Sequence, residues 1–192
     1  MRDVFEVIYR NNAWGQLSGP GSNTKLNQEY FDFVRDFMDD HNIKSVVDLG
    51  CGDFRLSRAL FLESNDIEYT GIDCVSMIMR LLSKMLRDKT HINFIDLDFF
   101  KHREDIASCD LIIIKDVLQH WTNDCIHEFL SYMVSSHKFK YIMIINSCGQ
   151  KEDGEDIDKN GKTRFLSAKF FPLKKYKAKI VCHYIDKEIS II

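Results

Sequence analysis

Proline is nearly missing from this chain: Pro20 and Pro172 are its whole supply in 192 residues. No proline-rich stretch divides the sequence, and neither an internal repeat nor a domain linker is visible. Six cysteines are scattered without a single CxxC pair, so a zinc site is not expected and free thiols in a reducing compartment are. Charge of one sign is lacking too. The formal net charge is −3 with both signs mixed along the chain. That disfavours nonspecific binding to nucleic acid, which needs a basic field. No run approaches the ~20 apolar residues that span a bilayer. The first twelve residues carry Arg2, Asp3, Glu6 and Arg10 and no apolar centre, so a secretory leader is not expected. A soluble, cytoplasmic protein without a membrane partner is the expectation.

What is present is enough apolar material for one full core, at 45% of residues. Periodicity predicts helices over 2–11, 24–41, 54–63, 75–87 and 123–137. Leu26, Tyr30, Phe33, Val34, Phe37 and Met38 share one face of the second helix, and Asn42 is placed to end it. Short apolar runs predict strands near 45–49, 68–72, 92–97, 110–114 and 141–146. Strand and helix alternate, which implies right-handed crossovers and a parallel sheet. Two further runs, 179–185 and 187–192, read as a closing antiparallel hairpin. Residues 147–168 are polar and charged, and a loop of that length without structure of its own is usually functional or disordered.

The run Val46-Val47-Asp48-Leu49-Gly50-Cys51-Gly52-Asp53 carries the most chemistry. An apolar strand stops at a carboxylate, and two glycines follow. Glycine lets a backbone turn with positive φ and approach a ligand without a Cβ between them. About twenty residues on, a second strand ends in Asp73, the spacing at which doubly wound folds set a carboxylate on ribose hydroxyls. A third ends at Asp96 and Asp98. A fourth runs into Lys115-Asp116-Val117-Leu118-Gln119-His120-Trp121. Four strands in series thus deliver polar residues to one edge of a sheet.

From about 44 to 146 these motifs resemble those of the class I S-adenosylmethionine-dependent methyltransferases. The first motif is Val46 to Gly52, and it departs from the family at the third glycine, where Asp53-Phe54 stands, as in a small Gly-Cys-Gly-Asp subtype. Trp14-Gly15-Gln16-Leu17-Ser18-Gly19-Pro20-Gly21-Ser22 resembles the glycine-rich leading segment of a subgroup of small methyltransferases. Asp156-Ile157, Gly161, Arg164, Leu166 and Phe171-Pro172 resemble that subgroup's loop after the fifth strand. The resemblance implies a Rossmann-like α/β fold with a mostly parallel, doubly wound seven-stranded sheet and an antiparallel C-terminal hairpin. Residues 1–43 are expected to act as a helical lid on a methyltransferase domain at 44–192. The implied cofactor is S-adenosyl-L-methionine, leaving as S-adenosyl-L-homocysteine.

Site roles follow residue by residue. Asp48, Gly50, Cys51 and Gly52 belong at the methionine end of the cofactor. Asp73 is matched to the ribose hydroxyls, with Cys74 beside it. Asp98 is matched to the adenine amino group, with Phe99 next to it. Asp96 lies two residues earlier, and strand periodicity alone cannot choose between them. Lys115 completes the cofactor-side set. His120 follows the fourth strand and titrates near neutrality, so it is the candidate base. Asp116 either orients it or is itself the base. Trp14, Trp121, Asn146 and Arg164 are expected around the acceptor, Arg164 as the grip on an anionic group. His120, Asp124 and His127 read better as a capped helix start than as metal ligands, and no metal is expected.

The acceptor implied is a small molecule or glycan, with a hydroxyl of a sugar or sugar nucleotide as first choice. Another small molecule or a protein stays open as acceptor, as does a cofactor-binding partner subunit without activity. A nicotinamide oxidoreductase would need a fuller GxGxxG and a hydride-transfer pair, and neither is evident. Sequence does not speak to the oligomeric state.

Overall fold

A computed structural model describes residues 1–15 and 18–192; Gln16 and Leu17 of the glycine-rich leading segment lie outside the described residues. Twelve regular elements follow one another: α1 (Arg2–Arg10), α2 (Gln28–Asp40), β1 (Ser45–Leu49), α3 (Arg58–Phe61), β2 (Glu68–Asp73), α4 (Ser76–Met85), β3 (Ile92–Asp96), β4 (Cys109–Lys115), α5 (Asn123–Ser135), β5 (Phe139–Ser147), β6 (Lys179–Tyr184) and β7 (Lys187–Ile191). The seven strands form one sheet in the order β3-β2-β1-β4-β5-β7-β6. The first five are parallel. β7 runs antiparallel between β5 and β6. The sheet is therefore the mixed, methyltransferase-like α/β arrangement expected.

Alternation along the central strands builds two apolar layers. Leu111, Ile113, Met143 and Ile145 face one side, with Tyr30, Phe31 and Val34 of α2. Ile112, Ile114, Ile142 and Ile144 face the other, with Phe129, Leu130 and Met133 of α5. Residues buried on both faces explain why these strands read as continuous apolar runs. The strand order reverses at β1, whose neighbours are β2 and β4. A crevice opens over the carboxyl ends at such a switch point.

Two local features differ in interest. Helix α2 ends as expected: Asn42 takes φ 50°, its N–H reaches Asp39 O, and Ile43 N–H reaches Met38 O. That is a Schellman closure. The helix expected over 54–63 is reduced to the four residues of α3. Phe54 adopts φ 61° because its ring is drawn inward between Tyr69 and Phe94, at 5.2 and 5.0 Å. The chain turns through residues 54–57 before helical geometry begins. The departure at the third glycine thus has a backbone consequence.

The first 43 residues divide in role. α2 is core, burying Tyr30, Phe31, Val34 and Met38. α1 instead lies over the carboxyl edge of the sheet, where Met1, Phe5 and Tyr9 line a cavity.

Candidate active site

The turn after β1 is held from beneath. Asp73 Oδ2 accepts the Gly52 N–H at 3.0 Å and Oδ1 accepts the Val75 N–H at 3.0 Å. Asp48 Oδ2 accepts the hydroxyls of Ser57 and Tyr69, the latter at 2.8 Å. Asp48 Oδ1 takes no bond among the described residues. Burial pushes the pKa of both Asp48 and Asp73 up, against the donors that stabilise their charged forms. Gly50 sits at φ 79°, and a Cβ there would stand 2.4 Å from Val117 Cγ2. Gly50→Ala is expected to lower the melting temperature by several degrees, since a clash and a strained φ each cost about 1–3 kcal/mol. Unchanged melting would show that the turn can relax.

Two cavities adjoin at this turn. The smaller, of about 60 Å³, is bordered by Gly50, Asp73, Cys74, Asp98, Phe99, Phe100, Val117 and Trp121, by Phe5 and Tyr9 of α1, and by Met1 just before it. Its aromatic wall sets Trp121 5.9 Å from Phe99 and 5.3 Å from Phe100. Asp98 Oδ2 accepts the Met1 ammonium at 3.3 Å and the Arg2 N–H at 3.1 Å. Burial opposes the charge on Asp98, but these donors hold its pKa below the ordinary value. Asp98 Oδ1 and Trp121 Nε1 are buried without a partner among the described residues. Asp96 pairs with the Arg2 guanidinium at 2.7 Å and does not border the cavity. Of the two acids, Asp98 is the one at the site.

The larger cavity, of about 420 Å³, runs from Asp48, Cys51 and Gly52 past Lys115, Asp116, Gln119 and His120 to Ser147, Thr163 and Lys187. Asp116 holds φ 58° and is gripped on both oxygens. Lys187 Nζ lies 2.6 Å from Oδ1 and Lys115 Nζ 2.5 Å from Oδ2. Burial works against the Asp116 charge, yet the two ammonium groups hold its pKa below the usual range. His120 borders both cavities. Its Nδ1 lies 3.0 Å from the Lys162 carbonyl oxygen, which only accepts, so Nδ1 carries the proton and Nε2 is left with its lone pair. Burial lowers the His120 pKa, against the Lys162 carbonyl and Asp116. The imidazole is thus neutral at physiological pH. Trp14 stacks on it at 5.1 Å and 27°.

Most residues expected at the site are gathered there: Trp14, Asp48, Gly50, Cys51, Gly52, Asp73, Cys74, Asp98, Phe99, Lys115, Asp116, His120 and Trp121 border one cavity or both. Two expected acceptor contacts border neither. Arg164 donates from its two terminal nitrogens to the carbonyls of Trp121, at 2.9 Å, and Glu155, and pairs with Asp156, while its Nε has no partner among the described residues. It ties the 147–168 loop to the start of α5. Asn146 is buried within β5, its amide oxygen unpartnered among the described residues. Its strand parity places it on the α5 side of the sheet, whereas Ser147 borders the larger cavity. Lys187, Gln119, Tyr9 and Ser18 were not anticipated. Tyr9 sits on the apolar side of α1, which marks it as buried but not as part of a site.

Among the described residues no helix is long and apolar enough to cross a membrane. No curated protein sequence matches the chain. Among solved structures, the methyltransferase domain of bacterial CtHen1-CN superposes with a TM-score of 0.66 at 14% identity, covering 86% of this chain and 98% of that one. The N,N-8-amino-8-demethyl-D-riboflavin dimethyltransferase RosA from Streptomyces davawensis gives 0.61 at 14%, covering 86% and 53%. The N-terminal domain of EvdMO1, solved with S-adenosylhomocysteine bound, gives 0.61 at 12%, covering 86% and 81%. At such identities the likeness concerns the fold. The chain spans only about half the length of several matched structures. Residues 46–138, however, match the methyltransferase-domain family in sequence. With that match, the strand order and the acid-tipped strands, the chain carries a class I S-adenosylmethionine-dependent methyltransferase domain.

Proposed function

We propose that this protein transfers a methyl group from S-adenosylmethionine to a hydroxyl of a small polar molecule, with a sugar or sugar nucleotide as first choice. The observation that carries the reading is His120. A neutral imidazole, its tautomer fixed by the Lys162 carbonyl, stands where the two cavities meet. Asp116 is the weaker candidate for base, because a carboxylate clamped by two lysines keeps its charge rather than a proton.

The acids at the strand tips suit the cofactor. Asp98 Oδ1 suits the adenine amino group, Asp73 the ribose hydroxyls, and Asp48 with the Gly50–Gly52 turn the methionine end. When bound, the cofactor supplies a methyl group on a sulfonium. The protein's share is to hold the acceptor in line, exclude water and accept the hydroxyl proton at His120 Nε2. Well-oriented approach lowers such barriers by about 7–11 kcal/mol. Trp14 and α1 close the site from above as a lid.

Calorimetric titration with S-adenosylhomocysteine and, in parallel, NAD checks the cofactor. Binding of the first alone is expected, and preference for NAD would overturn the reading. Turnover of methyl-labelled donor with a panel of sugars then separates an enzyme from a binding-only subunit.

A further inference from the structure

We propose that the methyl acceptor is an oxyanion, a hydroxyl compound bearing a carboxylate or phosphate that Lys187 and Lys115 anchor in the larger cavity. This rests on reading that cavity as the acceptor site and narrows the class of molecule it takes.

Two ammonium groups share one carboxylate here. Lys187 Nζ donates to Asp116 Oδ1 at 2.6 Å and to Ser147 Oγ at 3.1 Å. Lys115 Nζ donates to Asp116 Oδ2 and to the Gly21 carbonyl at 3.1 Å. An ammonium has three donors, so each lysine keeps one N–H without a partner among the described residues. Their side chains are only 10% and 8% exposed. Within this cluster two ammonium groups face one carboxylate with little water around them, and Asp48 is the next carboxylate to act on Lys115. Buried charge is normally paired.

The neutral groups around it lean the same way. Gln119 spends its Oε1 on the Ser147 N–H at 2.9 Å, which leaves its amide N–H groups to donate. Ser147 Oγ accepts from Lys187 and keeps its own proton. Both oxygens of Asp116 are taken. The other carboxylates at the cavity are Asp48, held by Ser57 and Tyr69 beneath the glycine turn, and Asp186, exposed in the turn before β7. Around Lys115 and Lys187 the free groups are donors, which suits a ligand group that brings acceptors and negative charge there, while Asp48 Oδ1 and His120 Nε2 are open acceptors elsewhere in the lining. A cationic or purely apolar acceptor would leave the two remaining ammonium N–H groups unmatched. Asp116 serves as a positioning residue, keeping the two ammonium groups apart. His120 borders the same cavity, so a molecule anchored at the lysines shares its space.

Protein loaded with S-adenosylhomocysteine is titrated with inorganic phosphate, malonate and uncharged malonamide, followed by ligand NMR line broadening. Saturable binding of an anion and none of malonamide is expected, and the stronger of phosphate and malonate identifies the preferred group. Lys187→Gln should weaken anion binding by about tenfold or more, and Lys187→Arg should retain it, since a charge-assisted hydrogen bond is lost only in the first. S-adenosylhomocysteine affinity should stay within about twofold in both. Equal binding of malonamide, no anion binding at all, or binding indifferent to Lys187→Gln overturns the proposal. So does a loss of S-adenosylhomocysteine affinity in Lys187→Gln, which would give the lysine to the cofactor's own carboxylate. Failure of the wild type to bind S-adenosylhomocysteine overturns the cofactor reading instead, and anion titration of the unloaded protein then still reads Lys187. Should Lys187→Gln not fold, the wild-type comparison of anions with malonamide decides alone.

Discussion

Replacing Asp73 with asparagine is expected to weaken S-adenosylhomocysteine binding by about ten- to a hundredfold. Two losses combine. A hydrogen bond to a charged group contributes about 1.5–3 kcal/mol, and every 1.4 kcal/mol is about tenfold in affinity. The ribose contact loses that charge. Asp73 also holds the Gly52 and Val75 N–H groups, one on each oxygen. Asparagine has one acceptor oxygen, so one of those N–H groups loses its partner and the turn beneath the cofactor loosens. Asp110→Asn is the control. Asp110 caps the opposite end of the sheet through the Lys44 and Ser45 N–H groups, so its loss should cost melting temperature and spare affinity. Calorimetry on both variants decides: an equal effect of the two, or none from Asp73→Asn, removes Asp73 from the ribose.

The strands were legible because both sheet faces are buried. Ile112, Ile113 and Ile114 cannot alternate polar with apolar when helices cover each side. The closing hairpin was legible from its two β-branched runs; its tight turn falls at Ile185-Asp186, with Ile185 at φ 52°. The shortening of α3 was not legible. Phe54, Leu56, Leu60 and Phe61 are buried, and the same apolar spacing serves a helix or a turn. What decided it was the pull of Tyr69 and Phe94 on one ring, a contact fixed by tertiary packing.

The site divides along a similar line. Residues at strand tips were legible, because parallel strands in register bring their ends to one edge: Asp48 lies beside Gly71 and Ile113, and Asp73 beside Asp96. Partners supplied across the fold were not. Lys187 meets Asp116 because β7 pairs antiparallel with β5, setting Lys187 opposite Ser147. Nothing in the local run of the hairpin marks it. For Arg164 the residue type suggested an anion, but backbone carbonyls of Trp121 and Glu155 claimed it. A guanidinium reads identically in sequence whether it holds a ligand or a loop.

His120 carries the second large expectation. His120→Ala should lower kcat by about 10²–10⁴-fold, the usual worth of a positioned base, while leaving S-adenosylhomocysteine affinity nearly unchanged. The pH profile gives the sharper readout. Burial lowers the His120 pKa, so the neutral, proton-accepting form persists below the ordinary imidazole range near 6.5. In the wild type kcat should be flat through neutrality and fall only on the acid side of that value, as the ring takes up a proton. In His120→Ala the acid limb should vanish, because the group that titrates is gone. If the limb instead survives the substitution, the proton goes elsewhere. Asp116 is then the next group to consider, although the two lysines hold its pKa below the ordinary carboxylate value, which would put the limb further to the acid side than an imidazole's. The position of the limb, measured with any acceptor that turns over, thus distinguishes a buried imidazole from a lysine-clamped carboxylate. It does so without relying on the size of the rate loss, which removing the Trp14 stacking partner contributes to as well.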